Sequence, residues 1–162
     1  MSDFENKDQF MYTRVTSTMV INGSIESEDN LLIEGKVYGD VTTSADASVS
    51  NLIIGNVKAE NLVLDNARIK GNIETGSALN IEDRTIVVGD VKSESIKVGG
   101  KIKGNLEIED SATLTETALV AGDVTAGYVI TEAGARIQGN IATKRKDIHT
   151  DLDAEFDLGG DL

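Results

Sequence analysis

The feature that most constrains the fold is a five-residue motif that recurs eight times between positions 21 and 141. It reads Val or Ile, any residue, Gly, Asn or Asp, then Val, Ile or Leu, with Ser24 in the Asx position of the first copy. Successive motif glycines are 16, 16, 16, 18, 15, 18 and 17 residues apart. A repeat of this length predicts stacked units, none of which buries its apolar face alone.

Each position of the motif has a physical reading. The aliphatic residues two before and two after the Gly share one face of a strand, because side chains alternate along β-structure. Gly and Asx tolerate positive φ, so they turn the chain between short strands, and stacked Asx residues are expected to share hydrogen bonds between units. Four residues after the Gly the side chain is small in seven copies, as a tight corner requires; Ile108 is the exception. A further apolar pair precedes each motif, such as Leu31 and Ile33.

Composition indicates a narrow aliphatic interior. The chain is 40% hydrophobic but only 4% aromatic, and its three Phe residues lie near the ends. There is no Pro, which fits a backbone that hydrogen-bonds on both sides along its length. Together with the repeat, this predicts an all-β, single-stranded β-helix (a solenoid) of about eight rungs, stacked at about 4.8 Å per layer. The residue pattern leaves its handedness open.

The sequence lacks the residues that several kinds of binding and catalysis require. The net charge of −13 disfavours nucleic-acid binding and electrostatic docking on an anionic membrane. There is no Cys, and the sole His, His149, lies in the acidic tail, so a Ser-His-Asp triad is excluded and a zinc site lacks ligands. Structural turns explain the Asx column better than metal binding does. No GxxxxGK[ST] loop occurs, so we expect no nucleotide, no cofactor and no enzymatic activity.

We place the β-helix at residues 15–143, an N-terminal tail at 1–14 and an acidic disordered tail at 144–162. Because neither end shows a clear helical cap, molecules are expected to stack end to end. The aliphatic residues assigned to polymerisation in the end rungs are Val15, Met19, Ile21, Ile25, Ile130, Ala135, Ile137 and Ile141. A contact with membrane or a partner is assigned to Phe4, Phe10, Met11 and Tyr12, the alternative being a disordered tail or a flap over the first rung.

The array resembles the bactofilins, a family of small bacterial cytoskeletal proteins. The resemblance covers residues 13–143 and rests on Leu-x-Ile-x-Gly-x-Val-x-Gly-Asp-Val at 31–41, its near copy at 96–106, and Gly-Ala-Arg-Ile-Gln-Gly-Asn-Ile at 134–141. It implies a right-handed β-helix of triangular section. It also implies cytoplasmic, nucleotide-independent, non-polar filaments joined through terminal rungs.

The resemblance extends to partners and roles. It implies that the chain binds copies of itself or a paralogous bactofilin, and that an N-terminal segment holds it on the inner membrane surface. The implied roles are cell shape, polar organisation and motility. Two features depart from the family pattern. The family often carries an aromatic residue near the last rung, whereas here Phe156 lies well past the array and Tyr128 is the nearest aromatic within it. A membrane-targeting segment is also not obvious.

Two other functions share this periodicity. Left-handed β-helix acyltransferases of the hexapeptide-repeat type have rungs of similar length, but they depend on a His that these repeats lack. An ice-binding face requires a regular outward Thr array, and the Thr residues here are scattered.

Overall fold

Twenty-four short strands follow one another along residues 12–144, the part of the chain that the computed structural model describes. They form three parallel eight-stranded sheets. Sheet A contains β1 (Tyr12–Val15), β4 (Asn30–Ile33), β7 (Ala47–Val49), β10 (Leu62–Leu64), β13 (Ala78–Ile81), β16 (Ser95–Val98), β19 (Ser111–Leu114) and β22 (Tyr128–Thr131). Sheet B contains β2 (Val20–Asn22), β5 (Lys36–Tyr38), β8 (Leu52–Ile54), β11 (Arg68–Lys70), β14 (Ile86–Val88), β17 (Lys101–Lys103), β20 (Leu119–Ala121) and β23 (Arg136–Gln138). Sheet C contains β3 (Ile25–Ser27), β6 (Val41–Thr43), β9 (Val57–Ala59), β12 (Ile73–Thr75), β15 (Val91–Ser93), β18 (Leu106–Ile108), β21 (Val124–Ala126) and β24 (Ile141–Thr143).

Each rung contributes one strand to each sheet, in the order A, B, C, and the chain then climbs to the next rung. Corresponding residues of successive rungs pair directly, as Ile53 does with Ile69 and Ile69 with Val87. The predicted all-β solenoid of about eight rungs is therefore confirmed, and no helix occurs between residues 12 and 144. The right hand and the triangular section stay predictions.

The interior is an uninterrupted aliphatic column. Its buried apolar members are all Val, Ile, Leu or Ala, as the composition predicted. The fourth rung is typical, with Leu64, Ile69 and Ile73 each no more than 2% exposed. Burial of such a side chain contributes about 1.5–3 kcal/mol, so the column is the main source of stability. Because one rung has no second layer to cover it, this burial exists only through stacking.

The three corners of a rung differ in how much the number of residues within them varies from rung to rung. Between sheets B and C, inward-facing residues are always four positions apart, as Ile69 and Ile73 are. We call this the Gly-Asx corner, because the motif Gly and Asx lie in it. Between sheets A and B the separation is four, five or six residues. The five-residue version, between Leu64 and Ile69, contains Asn66, whose φ of 56° a side-chain amide tolerates well. Variation at the two remaining corners thus produces the unequal repeat spacing.

The small residues predicted four positions after the Gly lie at the corner between sheets C and A. Thr43, Thr75 and Ser93 are buried there, and their hydroxyls are hydrogen-bonded. Thr43 Oγ1 donates to the Asp29 carbonyl oxygen at 2.6 Å and accepts the Ala45 N–H at 3.1 Å. A buried hydroxyl is tolerated only with such partners, so these residues close the corner as well as fill it. Ile108, the exception in the sequence, is fully buried.

The first strand begins at Tyr12, three residues before the predicted start of the solenoid. It pairs with β4 over its whole length, from Tyr12 with Asn30 to Val15 with Ile33. The sequence pattern missed this strand because its other inward position is Thr13 rather than an aliphatic residue.

Candidate assembly interfaces

Six strands end the three sheets: β1, β2 and β3 at one end of the solenoid, and β22, β23 and β24 at the other. In the seventh rung, the Gly122 N–H donates to the Gln138 oxygen at 2.9 Å and the Val124 N–H to the Asn140 oxygen at 2.8 Å. The equivalent donors of the eighth rung, Gly139 and Ile141, face no further rung within residues 12–144. Rows of free backbone groups are templates for pairing with another chain.

Within residues 12–144, no residue covers the C-terminal end of the aliphatic column. Ile137 is half-buried and Ile141 is 48% exposed, whereas their counterparts one rung below, Val120 and Val124, are fully buried. A further rung would cover both isoleucines. This end therefore carries incomplete strand pairing and incomplete apolar burial at the same place.

The N-terminal end repeats the pattern in part. Ile21 and Ile25 are half-buried, whereas Val37 and Val41, which pair with them in the next rung, are fully buried. Val15 differs, because only 2% of it is exposed. Of the residues predicted for polymerisation at this end, Ile21 and Ile25 thus offer more apolar surface to a neighbouring molecule than Val15 does.

Two of the residues predicted to take part in polymerisation lie at the corner between sheets A and B. Met19 is 43% exposed there in the first rung, and Ala135 is half-buried in the last. Between them this column holds small residues such as Gly35, Ala67 and Ala118, all buried. Met19 is the bulkiest member of this column and stands at its open end.

Ile130, assigned from the sequence to polymerisation, lies outside the aliphatic column of the last rung. Ile130 belongs to the last rung, but it pairs with Thr113 on the outer surface of sheet A and is 49% exposed. Val129 takes the inward position, above Ala112. Alternation alone did not distinguish them, because Val129 and Ile130 are both aliphatic and either phase gives a plausible strand.

The Asx column forms the rung-to-rung hydrogen bonds that the sequence predicted. The side-chain oxygen Oδ1 of each Asx accepts the backbone N–H of the Asx one rung later, at 2.9–3.0 Å, from Asp40 through Asn140. Asn140 is the last member of the column within residues 12–144. The Gly beside it forms a second column, since each motif Gly from Gly39 onward packs against the carbonyl of the preceding one.

The residues assigned to a membrane or partner contact lie largely outside the described part of the chain. Phe4, Phe10 and Met11 precede it, and Tyr12 enters only as the first residue of β1. Within residues 12–144 no helix has the length and hydropathy needed to cross a bilayer. The same residues contain no group of three or more His, Cys, Asp or Glu arranged to hold a metal ion.

Comparison with known proteins identifies the family to which this solenoid belongs. A family model described as "Bactofilin: Polymer-forming cytoskeletal" matches residues 48–142, from the third rung to the eighth. The chain belongs to the bactofilin family. Bactofilin BacO from Myxococcus xanthus (strain DK1622) is 28% identical over 98 residues, covering 59% of this chain and 77% of that protein. No solved structure matches the chain. Membership of the bactofilins, which are structural cytoskeletal proteins, assigns this chain a cytoskeletal role.

Proposed function

We propose that this bactofilin is a non-enzymatic scaffold of the bacterial cytoplasm that assembles end to end, without nucleotide, into filaments. The observation that carries the proposal is the coincidence, at both ends, of three edge strands with half-exposed members of the aliphatic column. Joining two ends extends all three sheets and buries these side chains in one step. Backbone pairing supplies the geometry of such a joint, and apolar burial supplies most of its free energy.

Finer features of the proposal rest on the family resemblance. Non-polar filaments require like ends to meet, so two kinds of joint alternate along the polymer. A paralogous bactofilin with the same end geometry is a second partner, and the N-terminal segment is a contact for the inner membrane surface. Support for cell shape, polar organisation or motility is the cellular role.

The decisive experiment places a charge inside or outside the column at the same rung. Ile137→Lys puts an ammonium group in the open core, where joint formation would desolvate it without a partner. Ile130→Lys is the matched control, because its side chain lies on the outer surface of the same rung. Negative-stain electron microscopy should show filaments for the wild type and Ile130→Lys, and none for Ile137→Lys.

Folding is checked separately by circular dichroism, which should show β-structure for all three proteins. Ile21→Lys makes the same test at the other end of the solenoid. A wild-type protein that stays monomeric across salt and protein concentration would exclude the scaffold. Normal filaments from both Ile137→Lys and Ile21→Lys would show instead that assembly does not use the ends.

A further inference from the structure

The outer surface of sheet B, hereafter the B face, has a charge unlike that of the whole molecule. Within residues 12–144, its sixteen outward positions include no Asp or Glu, although the chain has a net charge of −13. Six of these positions are basic and exposed: Lys36, Arg68, Lys70, Lys101, Lys103 and Arg136. The B face is thus a positively charged strip on an acidic protein.

Aliphatic and basic residues alternate along the B face from rung to rung. The paired residues of its first outward column are, in order, Val20, Lys36, Leu52, Arg68, Ile86, Lys101, Leu119 and Arg136. The second column has the same phase in its central rungs, with Ile54, Lys70, Val88 and Lys103. Basic rows are therefore two strands, or about 9.6 Å, apart, with an aliphatic row between them.

Sheet C shows that stability does not require this arrangement. On its outer surface Lys58 pairs with Glu74, their charged groups 3.7 Å apart, and Lys92 stands between Glu74 and Glu107 in register. Alternating signs remove like-charge repulsion between adjacent parallel strands and add attraction. The B face separates its cations with aliphatic rows instead, so that its Lys and Arg form no ion pair with residues 12–144 and apolar surface is exposed.

The apolar rows of the B face reach solvent. Val20 is 56% exposed, Val88 42%, Ile54 41% and Ile86 38%, and Tyr38, which lies in the same strand as Lys36, is 40% exposed. These five account for half of the ten large exposed hydrophobic residues in the part of the chain that is described. Apolar side chains beside Lys and Arg on one surface are typical of segments that lie in a membrane interface.

We propose that the B face binds the surface of an anionic lipid bilayer. The Lys and Arg side chains would contact lipid phosphates, with their alkyl stems lying along the neighbouring aliphatic rows, which enter the boundary between headgroups and acyl chains. The acidic groups of sheet C and the corners oppose this contact weakly, because salt screens exposed charges beyond about 8 Å at physiological ionic strength. This site differs from the N-terminal segment and requires no filament.

A nucleic acid is the other polyanion that a basic strip can bind. The aliphatic rows disfavour it, because phosphate-backbone recognition uses basic and polar groups, and single-strand binders add aromatic stacking platforms. On the B face Tyr38 is the sole aromatic residue of the described rungs. A DNA oligonucleotide therefore serves as a competing probe in the test.

The test is co-sedimentation of the full chain with vesicles of phosphatidylglycerol and phosphatidylethanolamine, and with phosphatidylcholine vesicles as the neutral comparison. Binding should require the anionic lipid and fall with added salt. The double variant Lys70→Gln with Lys103→Gln should weaken binding about 25-fold, because each basic group near such a surface contributes about fivefold. The matched control, Lys92→Gln with Lys97→Gln, changes net charge equally on sheets C and A and should weaken it less than threefold.

A second pair of variants tests the apolar rows. Ile54→Thr with Val88→Thr should weaken vesicle binding severalfold, whereas Val63→Thr with Ile130→Thr on the outer surface of sheet A should not. Thr retains the β-branch, so strand propensity is largely kept. Filaments seen by electron microscopy should be unchanged in all four variants, which separates failure of this site from failure of end-to-end assembly.

Three results would overturn the proposal. One is equal loss of binding in the B-face variants and their matched controls, which would indicate only net charge. Another is binding abolished by Phe4→Ser with Phe10→Ser but unaffected by the B-face variants, which would assign the membrane contact to the N-terminal segment alone. The third is oligonucleotide binding that depends on Lys70 and Lys103 while vesicle binding does not.

Discussion

At the scale of single residues, the motif Gly is set by two separate constraints. Gly89 has a φ of 147°, a conformation that side chains disfavour, and a Cβ there would lie 2.0 Å from the Gly71 carbonyl oxygen. Gly23, in the first rung, has a φ of 139°, but a Cβ there would have no neighbouring atom within 4 Å. The two glycines thus share the backbone constraint and differ in the steric one.

Gly89→Ala and Gly23→Ala separate these effects. Gly23→Ala should lower the free energy of unfolding by about 1–2 kcal/mol, from backbone strain alone. Gly89→Ala should cost at least about 3 kcal/mol, because two rungs must also separate to admit the methyl group. Urea denaturation at concentrations below assembly measures both, and equal losses would show that rung stacking does not select glycine.

The Asx residues beside these glycines show a further residue-scale pattern. Along the hydrogen-bonded column the order is Asp40, Asn56, Asn72, Asp90, Asn105, Asp123 and Asn140, so no two Asp residues are neighbours. Neighbours in the column are about 4.8 Å apart, where like charges repel. Both residue types supply the Oδ1 acceptor, and Asn supplies it without charge.

At the scale of elements, the corners explain how unequal repeats build an even solenoid. The Gly-Asx corner never changes length, because its Gly and Asx each contact the same residues in the neighbouring rungs. The corner between sheets A and B makes no such continuous column, and it accepts four to six residues. The sequence showed the constant spacing around the Gly, but that the other two corners absorb the variation became visible only with the strand pairing.

Insertion of one Asn tests this difference in the third rung. After Ser50 it would lengthen the corner between sheets A and B from four to five residues, the length already present between Leu64 and Ile69. We expect a loss of about 1 kcal/mol, since small changes in loop length cost little. After Gly55 the same insertion breaks both columns with the rungs on either side. It should lower the melting temperature far more, and equal shifts in thermal denaturation would refute the distinction.

At the scale of the whole molecule, the Gly column also reports the polarity of the filament. In a head-to-tail joint, the first rung of one molecule would continue the last rung of another. Within the solenoid, a Cβ added to a motif Gly would lie 2.0–2.2 Å from the carbonyl oxygen of the preceding motif Gly. A methyl group on Gly23 would approach the carbonyl oxygen of the neighbour's Gly139 as closely. In a non-polar polymer these two residues never meet.

Gly23→Ala should therefore still form filaments, as judged by electron microscopy and by pelleting at high speed. The comparison is Ile137→Lys, which should form none. Filaments from a folded Gly23→Ala protein would exclude an in-register head-to-tail joint, and their loss would show that a methyl group on the outer side of the first rung blocks a joint. Its urea transition provides the check that the monomer is intact.

The B face shows that the net charge of a molecule does not describe each of its surfaces. The net charge is −13, whereas the exposed Lys and Arg of sheet B lie together with no acid among the outward positions of that sheet. Within each outward column, successive residues are 15–18 positions apart in the chain, with acidic residues between them. Net charge sums the charges of all faces. A binding partner interacts mainly with the charges of the face that it touches, because salt screens charges beyond about one Debye length.

The sequence by itself determined the solenoid, its number of rungs, its aliphatic interior and its turns, because alternation and the Gly-Asx motif are local properties that stacking repeats. Only the tertiary structure decided that Val129 rather than Ile130 enters the core, that the two corners other than the Gly-Asx corner carry the length variation, and that basic and aliphatic rows alternate on sheet B. Each of these depends on register between strands in different rungs. The register is set by the pairing of strands from different rungs, which are separated by unequal lengths of chain. A single repeat does not contain this information.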